Sequence, residues 1–414
     1  MLHIRTEKIL VREGHPEYKQ YRNVCKISTA IYNCANYYIR QNFFNGYFNI
    51  NWQSADKYLR QKYNSLYNAL PNQSTQSIIK KLGDDWNSFY KANNAYKLDS
   101  SKFNSKPKPP KYKKGLGIFI SSFQSMSIKN SEIHFPKKMN LNPVRIHCCD
   151  NQILKAKQDE QVVTEIRILP KNKAFYIEVV YNKEINNDIL LDKSNVLGID
   201  LGLNNLLTIT TNQSDLTPIL INGKIIKSIN HKYNKSKAYY QSNGNHNMIN
   251  RIGLSRHLSI KDYFHKASNF IKEYCLKNNI GKVVIGNNKQ WKDKINIGKV
   301  NNQNFVSVPF CLLISLITYK CEEYGIEVIL QEESYTSKSD ALACDILPIY
   351  DEANKTEYKF KGKRKSRGLY QSSKGLLNAD VNGCLNILRK VIGDGFIRNL
   401  INSGCVFQPV RVNL

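Results

Sequence analysis

Apolar and polar positions change period several times along the 414-residue chain, and each change predicts a change of element. Residues 3–12 alternate as one strand. From Cys25 the period lengthens, with Ile27, Ile31, Cys34 and Tyr38 recurring at three- and four-residue steps, and helical periodicity continues to about residue 98. Short alternating stretches return after residue 115. The clearest, 162–169 and 174–181, flank Pro170-Lys171-Asn172-Lys173 and predict a hairpin. Several such strands within 115–185 predict a small antiparallel barrel that strand 3–12 completes, which makes the helical stretch an insertion.

Beyond residue 195 the pattern predicts strands at 196–201, 204–210 and 217–221, helices over about 228–279, and a strand at 282–285. A helix from Pro309 to Tyr324, a strand at 326–330 and a final helix from about Asp380 follow. That order is the one found in a ribonuclease-H-like α/β layer. Pro309 suits a first helical turn, and Ile314, Ile317 and Cys321 continue a buried face. No internal repeat is detectable.

Composition adds a partner. Lys and Arg total 61 against 33 for Asp and Glu, a formal charge of +28 spread along the chain rather than gathered in a tail. Such a charge repels itself unless a polyanion is present, which points to nucleic acid rather than to a solubilising surface. A membrane fits poorly: no signal-like apolar segment opens the chain, and the longest apolar stretch, Val308 to Ile317, is about half a span. Ten cysteines without a CxxC pair predict packing residues in a reducing, cytoplasmic setting without disulfides. Vicinal Cys148 and Cys149 are expected on a strand, facing opposite ways. His147, His246 and His257 show no metal-ligand spacing.

Two basic segments stand out. Lys106-Pro107-Lys108-Pro109-Pro110-Lys111-Tyr112-Lys113-Lys114 is a stiff, extended connector, because clustered prolines forbid helix. Lys359, Lys361, Lys363, Arg364, Lys365 and Arg367 form a second run, expected as a mobile loop suited to phosphates. Aromatics are dense between Tyr32 and Tyr90; most are expected in the core of a helical bundle, with a few free to stack on bases.

The chemistry centres on Asp200, the one carboxylate in the apolar run Val196-Leu197-Gly198-Ile199-Asp200-Leu201-Gly202, and on Asp380, which opens Asp380-Val381-Asn382-Gly383-Cys384-Leu385. An unpaired carboxylate in an apolar strand destabilises by several kcal/mol, so it is neutralised, paired or a metal ligand. Together with Ser334-Tyr335-Thr336-Ser337-Lys338 and Leu70-Pro71 through Trp86, these motifs resemble TnpB, the OrfB-type protein of insertion-sequence transposons and a relative of type V CRISPR effectors. Asp262, His265 and Lys266 match the family's Asp and His-Lys positions. Members often carry the description transposase, although their cutting does not itself move the element.

The resemblance implies a multidomain α+β chain. A β-barrel wedge domain is expected over 1–15 and 106–190, a helical recognition domain over 16–105, and a ribonuclease-H-like (RuvC) nuclease domain over 191–414 with a basic insert at 339–377. It also implies a guide RNA from the transposon end, a short adjacent DNA motif, and cleavage of double-stranded DNA matched to the guide.

The sequence departs from the family twice. Where the fourth strand usually ends in a catalytic Glu, this chain reads Val283-Val284-Ile285-Gly286-Asn287-Asn288. A replacement lies at Glu332-Glu333 past the fifth strand, from which a side chain must cross roughly 9–10 Å, two strand spacings; a Gly on the intervening strand leaves room for it. Some relatives carry Glu two places before the Tyr of the Tyr-Thr-Ser motif, which is Glu333, and neighbours in extended chain face opposite ways, so Glu332 ranks second. On this reading Asp200, Glu333 and Asp380 hold two Mg²⁺ ions about 4 Å apart; otherwise both glutamates are solvated loop carboxylates and the protein is inactive.

The second departure concerns zinc. The usual members carry two CxxC pairs between the Ser-Tyr-Thr-Ser and final Asp motifs, whereas 339–377 holds only Cys344. No zinc is expected, and Cys344 reads as packing. The candidate nucleic-acid contacts are Lys106, Lys108, Lys111, Lys113, Lys114, Lys361, Lys363, Arg364, Lys365 and Arg367. The leading expectation is an RNA-guided, Mg²⁺-dependent DNA endonuclease; the alternative is a guided, repressor-like DNA binder without cleavage. Monomer and dimer stay equally open, and a strand-transferring transposase lacks an HUH pair or a marked nucleophilic Tyr.

Overall fold

The computed structural model describes residues 2–48, 51–122, 127–147, 163–184, 190–287, 307–349 and 357–414; Cys148, Cys149, Val162 and Asn288 lie outside them. The chain divides into two compact units, Met1–Ile185 and Asn186–Leu414.

In the first unit, β1 (Leu2–Val11) leads into α1 (Tyr18–Phe44), α2 (Trp52–Lys62), the single turn α3 (Asn64–Tyr67) and α4 (Asn72–Leu98). The chain then returns through β2 (Phe119–Ser122), β3 (Ser127–Lys129), β4 (Glu132–His134), β5 (Val144–Arg145), β6 (Val163–Lys171) and β7 (Ala174–Glu184). β1 pairs antiparallel with β7 along its whole length, in a sheet of order β1-β7-β6-β2. The helices are therefore inserted between two strands of one sheet. The expected barrel is not found: among the described residues this sheet stays open, with β1 and β2 as edges, beside a separate sheet β3-β4-β5.

The hairpin is tighter than the prolyl sequence suggested. Pro170 pairs with Phe175 inside the ladder, and the turn is only Asn172 and Lys173, both at positive φ. Paired positive-φ residues match the twist of the flanking strands. Pro170 is tolerated because β2 ends its pairing at Ile168, so no neighbour asks for the missing N–H.

Helical spacing explains the bundle. α1 buries Tyr21, Val24, Cys25, Ser28, Ile31, Tyr32, Ala35, Asn36 and Ile39, a stripe with the period of a helix. Trp86 of α4 packs against Phe43 and Phe89 and donates its indole N–H to Asn36 Oδ1 at 3.0 Å. Gly83 lets α2 approach: a Cβ there would lie 2.9 Å from Trp52 Cβ. The aromatic expectation divides accordingly. Tyr32, Tyr67, Trp86 and Phe89 are buried, while Tyr37, Phe44, Tyr47 and Phe48 stay exposed.

The second unit is built on β8 (Asp192–Leu201), β9 (Asn205–Thr211) and β10 (Ile219–Asn222), then α5 (Lys224–Ser242), α6 (His246–Lys277) and β11 (Ile280–Gly286). Next come α7 (Phe310–Glu322), β12 (Glu327–Gln331), β13 (Lys363–Ser366), β14 (Leu369–Ser372) and β15 (Gly375–Asn378). The chain ends with α8 (Ala379–Ile392), α9 (Ile397–Ser403) and β16 (Val410–Val412). The sheet order is β12-β11-β8-β9-β10-β16, so the fourth strand lies between the first and the fifth. β8, β11 and β12 are parallel, and β9 runs antiparallel between β8 and β10.

Strand periodicity sorts β8 by face. Leu197 and Ile199 join the core made with Phe264 and Ile271 of α6 and Leu313 and Ile317 of α7. Val196 packs on the other side with Val284 and with Ile387 and Leu388 of α8. Asp200 shares that second face. Gly198 makes the approach of α8 feasible, since a Cβ on it would lie 2.7 Å from Leu388 Cγ. Along α7 the buried positions are Phe310, Leu313, Leu316, Ile317 and Cys321, with Ile314 half-buried.

Among the described residues, no helix is long and apolar enough to cross a membrane. Cys25, Cys275, Cys321 and Cys384 are buried; Cys344, expected to pack, is exposed at a φ of 53°. The second basic run also differs from expectation. Lys363–Ser366 is not a mobile loop but strand β13, paired with β14 in the three-stranded sheet β13-β14-β15.

Candidate active site

Asp200, Glu333 and Asp380 lie within electrostatic reach of one another where α8 crosses the ends of β8 and β11. Asp200 is half-buried near the end of β8. Gly383 of α8 faces it so closely that a Cβ on the glycine would stand 3.2 Å from Asp200 Oδ2. Asp380 lies in the first turn of α8, which Asn378 caps by accepting from Asp380 N at 2.9 Å and Val381 N at 3.3 Å. A carboxylate so placed is stabilised by the helix dipole, by about 0.3–1 kcal/mol.

Glu333 supplies the third group, and Gly286 is the reason it reaches. A Cβ on Gly286 would overlap Glu333 Oε1, would lie 2.8 Å from Glu333 Cδ and 2.6 Å from Ile387 Cδ1. The carboxyl of Glu333 thus lies across the end of β11, in space that any other residue at 286 would fill. Gly286 pairs with Gln331, so the side chain returns over β11 from two residues beyond the end of β12. Glu332 turns elsewhere: its Oε2 takes Lys390 Nζ at 2.8 Å and its Oε1 accepts from Ser334 N. Lys390 also donates to Ser334 O at 2.8 Å, which fixes the chain on the far side of Glu333.

Electrostatics report the crowding. Burial pushes the Asp200 carboxyl well above the usual range, and the charges of Glu333 and Asp380 push it further. The Arg364 guanidinium and the Leu201 N–H pull it only part of the way back. Burial likewise raises Glu333 to about 7, with Glu332 adding to the effect and Lys390 opposing it. For Glu332 burial acts upward as well, but the Lys390 and Ser334 hydrogen bonds outweigh it and the group is lowered.

Sequence reasoning missed Asn205. This buried side chain donates to Asp380 Oδ2 at 2.8 Å and ties the turn after β8 to the start of α8. Its neighbour Asn204 accepts from Lys227 of α5. The signal was present in Gly202-Leu203-Asn204-Asn205: a Cβ on Gly202 would lie 2.5 Å from Asn205 O, a turn too tight for other residues.

The basic candidates are distributed unevenly. Lys361, Lys363, Arg364, Lys365 and Arg367 are all exposed, and Arg364 Nη2 stands 3.9 Å from Asp380 Oδ1. In the other unit, the prolyl connector is strapped along α1 by Asn33, Asn36 and Arg40, which bond Lys113 and Pro110. Lys106, Lys108, Lys111 and Lys114 point to solvent. Lys113 does not: its ammonium sits 3.7 Å above the Tyr32 ring, and burial lowers its pKa. Asp262, His265 and Lys266 line open grooves of α6 with Leu414, and none of the three carboxylates borders those grooves.

The donor set suits a hard divalent ion. Carboxylate oxygens are what Mg²⁺ takes, and the mutual repulsion of Asp200, Glu333 and Asp380 is what a cation relieves. The three are not gathered around one point: among the described residues no group of three or more His, Cys, Asp or Glu stands close enough to hold an ion. Zinc does not fit the segment between the motifs, where the sequence from 339 to 377 offers no His and the single thiol of Cys344.

Comparison with known proteins places two segments. Residues 184–292 match the OrfB_IS605 family model, described as "Probable transposase", and residues 310–387 match the "Cas12f1-like, TNB domain" model. Among solved structures, the cryo-EM structure of the Cas12f1-sgRNA-target DNA complex is similar at a TM-score of 0.50 and 17% identity, covering 90% of this chain and 82% of that one. A cryo-EM structure of a CRISPR-Cas12f ternary complex is similar at 0.37 and 16%, covering 90% and 81%. No curated protein matches. At these identities the structural likeness speaks for the fold alone.

Proposed function

We propose, from the premise that the chain is TnpB-like, that it is an RNA-guided DNA endonuclease whose third catalytic carboxylate has moved from the fourth strand to Glu333. One observation carries this reading: the Glu333 carboxyl lies in the volume that Gly286 leaves open, next to Asp200. A solvated loop carboxylate needs no such vacancy.

Asp200, Glu333 and Asp380 would hold Mg²⁺, which when bound activates water and stabilises the leaving 3′ oxygen of a phosphodiester. The chain's own groups do the rest. Asn205 fixes the rotation of Asp380 by bonding Oδ2, which leaves Oδ1 on the side of Arg364. Arg364 places a permanent cation at the same carboxylate and offers its outer N–H groups to a phosphate. Glu332 and Lys390 form a closed pair, so that Glu333 alone projects from this turn toward Asp200. The 1–15 and 106–190 segments act as the wedge and 16–105 as the recognition domain, holding guide and target by backbone charge and shape while pairing selects sequence. The 191–414 segment is the ribonuclease-H-like nuclease.

The rival reading is a guided DNA binder that does not cut, and it draws on the fact that the three carboxylates are not already gathered around one point. Cleavage of guide-matched plasmid in Mg²⁺ separates the two. Wild type and Glu332→Ala are expected to cut, while Asp200→Ala, Glu333→Ala and Asp380→Ala bind and do not. Binding without cleavage by wild type would favour the rival.

A further inference from the structure

The basic strand β13 is exposed at every position, and the sheet β13-β14-β15 is seated through its other two strands, which bury Tyr370, Ser372 and Leu377. Between 339 and 377 there is no His and only one thiol, Cys344, too few to build a zinc site. A carboxylate stands at the junction instead. Asp340 is fully buried. Its Oδ1 accepts from Leu342 N at 3.1 Å, Ala343 N at 3.2 Å and Ser372 Oγ at 2.6 Å, and its Oδ2 accepts from Ser373 N at 2.8 Å. Oδ1 is thus crowded by three donors and Oδ2 holds one, all from the protein, so this carboxylate is spent on the chain around it.

The same junction continues in both directions. Asp345 Oδ2 takes Asp340 N at 3.2 Å and Lys361 N at 2.8 Å, which joins the loop to the chain entering β13. Tyr370 of β14 donates to Lys338 O at 2.7 Å. On the other side α8 grips the loop: Asn382 bonds Ser339 O and Ala341 N, Asn386 bonds Thr336 O and Ser339 O, and Arg389 donates to Asp345 O at 2.7 Å. Helix, loop and sheet are thus joined by buried polar groups as well as by the packing of Tyr370 and Leu377 on Val381 and Leu385, and Asp340, with four bonds, is the most heavily bonded link between loop and sheet.

We infer that Asp340 is a positioning residue, a metal-free clasp that seats the basic sheet on α8 and so holds Arg364 beside Asp380. The cleavage arm of its test rests on the nuclease reading; the zinc and exchange arms do not.

Purified wild type is expected to hold well under a tenth of an equivalent of zinc, and a zinc-selective chelator in excess Mg²⁺ is expected to leave its melting temperature unchanged. Near-stoichiometric zinc, with a fall in melting temperature on chelation or in Cys344→Ser, would overturn the clasp. For Asp340→Ala, and for the milder Ser372→Ala, hydrogen exchange is expected to quicken at least tenfold over 363–378 while β8, β9 and β11 keep their protection. Unchanged protection over 363–378 in both variants would also overturn it. If wild type cuts, Asp340→Ala and Arg364→Ala are each expected to slow cleavage, and the double variant no more than Arg364→Ala alone. Additive losses would deny that Asp340 acts through Arg364.

Discussion

At residue scale, the site depends on a single hydrogen atom. Gly286 has no side chain, and the Glu333 carboxyl uses the space. Gly286→Ala is therefore expected to lose guided cleavage as completely as Glu333→Ala, and to cost about 1–3 kcal/mol of stability from overpacking against Ile387, read by urea denaturation. The swap Gly286→Glu with Glu333→Ala returns the carboxylate to the strand where relatives keep it and is expected to recover part of the activity. The same carboxyl makes stability depend on pH. Its folded pKa of about 7 lies above its unfolded value, so the folded state binds the extra proton. Stability then falls as pH rises from about 4.5 to 7, by an amount on the order of 3 kcal/mol at most. Melting temperatures across that window are expected to slope less in Glu333→Gln, and added Mg²⁺ is expected to flatten the wild-type slope. Asp200 and Asp380 were legible in the sequence because each is an acid in an apolar setting. Asn205 shows in the sequence only through the tight turn that Gly202 marks, since an amide carries no such contradiction, and nothing local to Lys113 shows that Tyr32 lies under it.

At element scale, helices and central strands followed their periodicity closely, as long amphipathic segments do. The exceptions lie where tertiary pairing decides. Pro170 is in a strand because β2 is short, and β16 is a strand because β10 offers an edge; neither fact is written in its own neighbours. The basic run was read as mobile from its charge, yet β13 is held by β14 and, through it, by buried polar groups. Those groups give α8 a second role besides packing. Asn382→Ala would leave Ala341 N without its bond in a site closed to water, at about 1–3 kcal/mol, and Ser339 O with Asn386 alone. Guanidinium unfolding of the variant is expected to show a loss of that size, with weaker protection from exchange over 336–345.

At the scale of the whole molecule, an excess of 28 positive charges favours a polyanionic partner. Binding of guide RNA is expected to weaken linearly with the logarithm of salt concentration. Replacing exposed Lys106, Lys108, Lys111 and Lys114 by Ala is expected to reduce that slope by about 3, taking 0.7–0.9 per lost contact, whereas Lys113→Ala is expected to change stability more than slope. Filter binding over a salt series measures both. The separation into two units could be read from the shift in pattern after residue 185; closure of the first sheet could not, because an alternating strand shows which face is wet and not which neighbour it meets.

A ligand at the tip of a central strand is as fixed as the sheet beneath it. Glu333 instead sits in a turn held by Lys390, Thr336 and the asparagines of α8. Slackening of that turn would withdraw one acid and disarm the molecule while every strand stayed paired. On the nuclease reading, losing activity and losing the fold are, for this chain, separate failures.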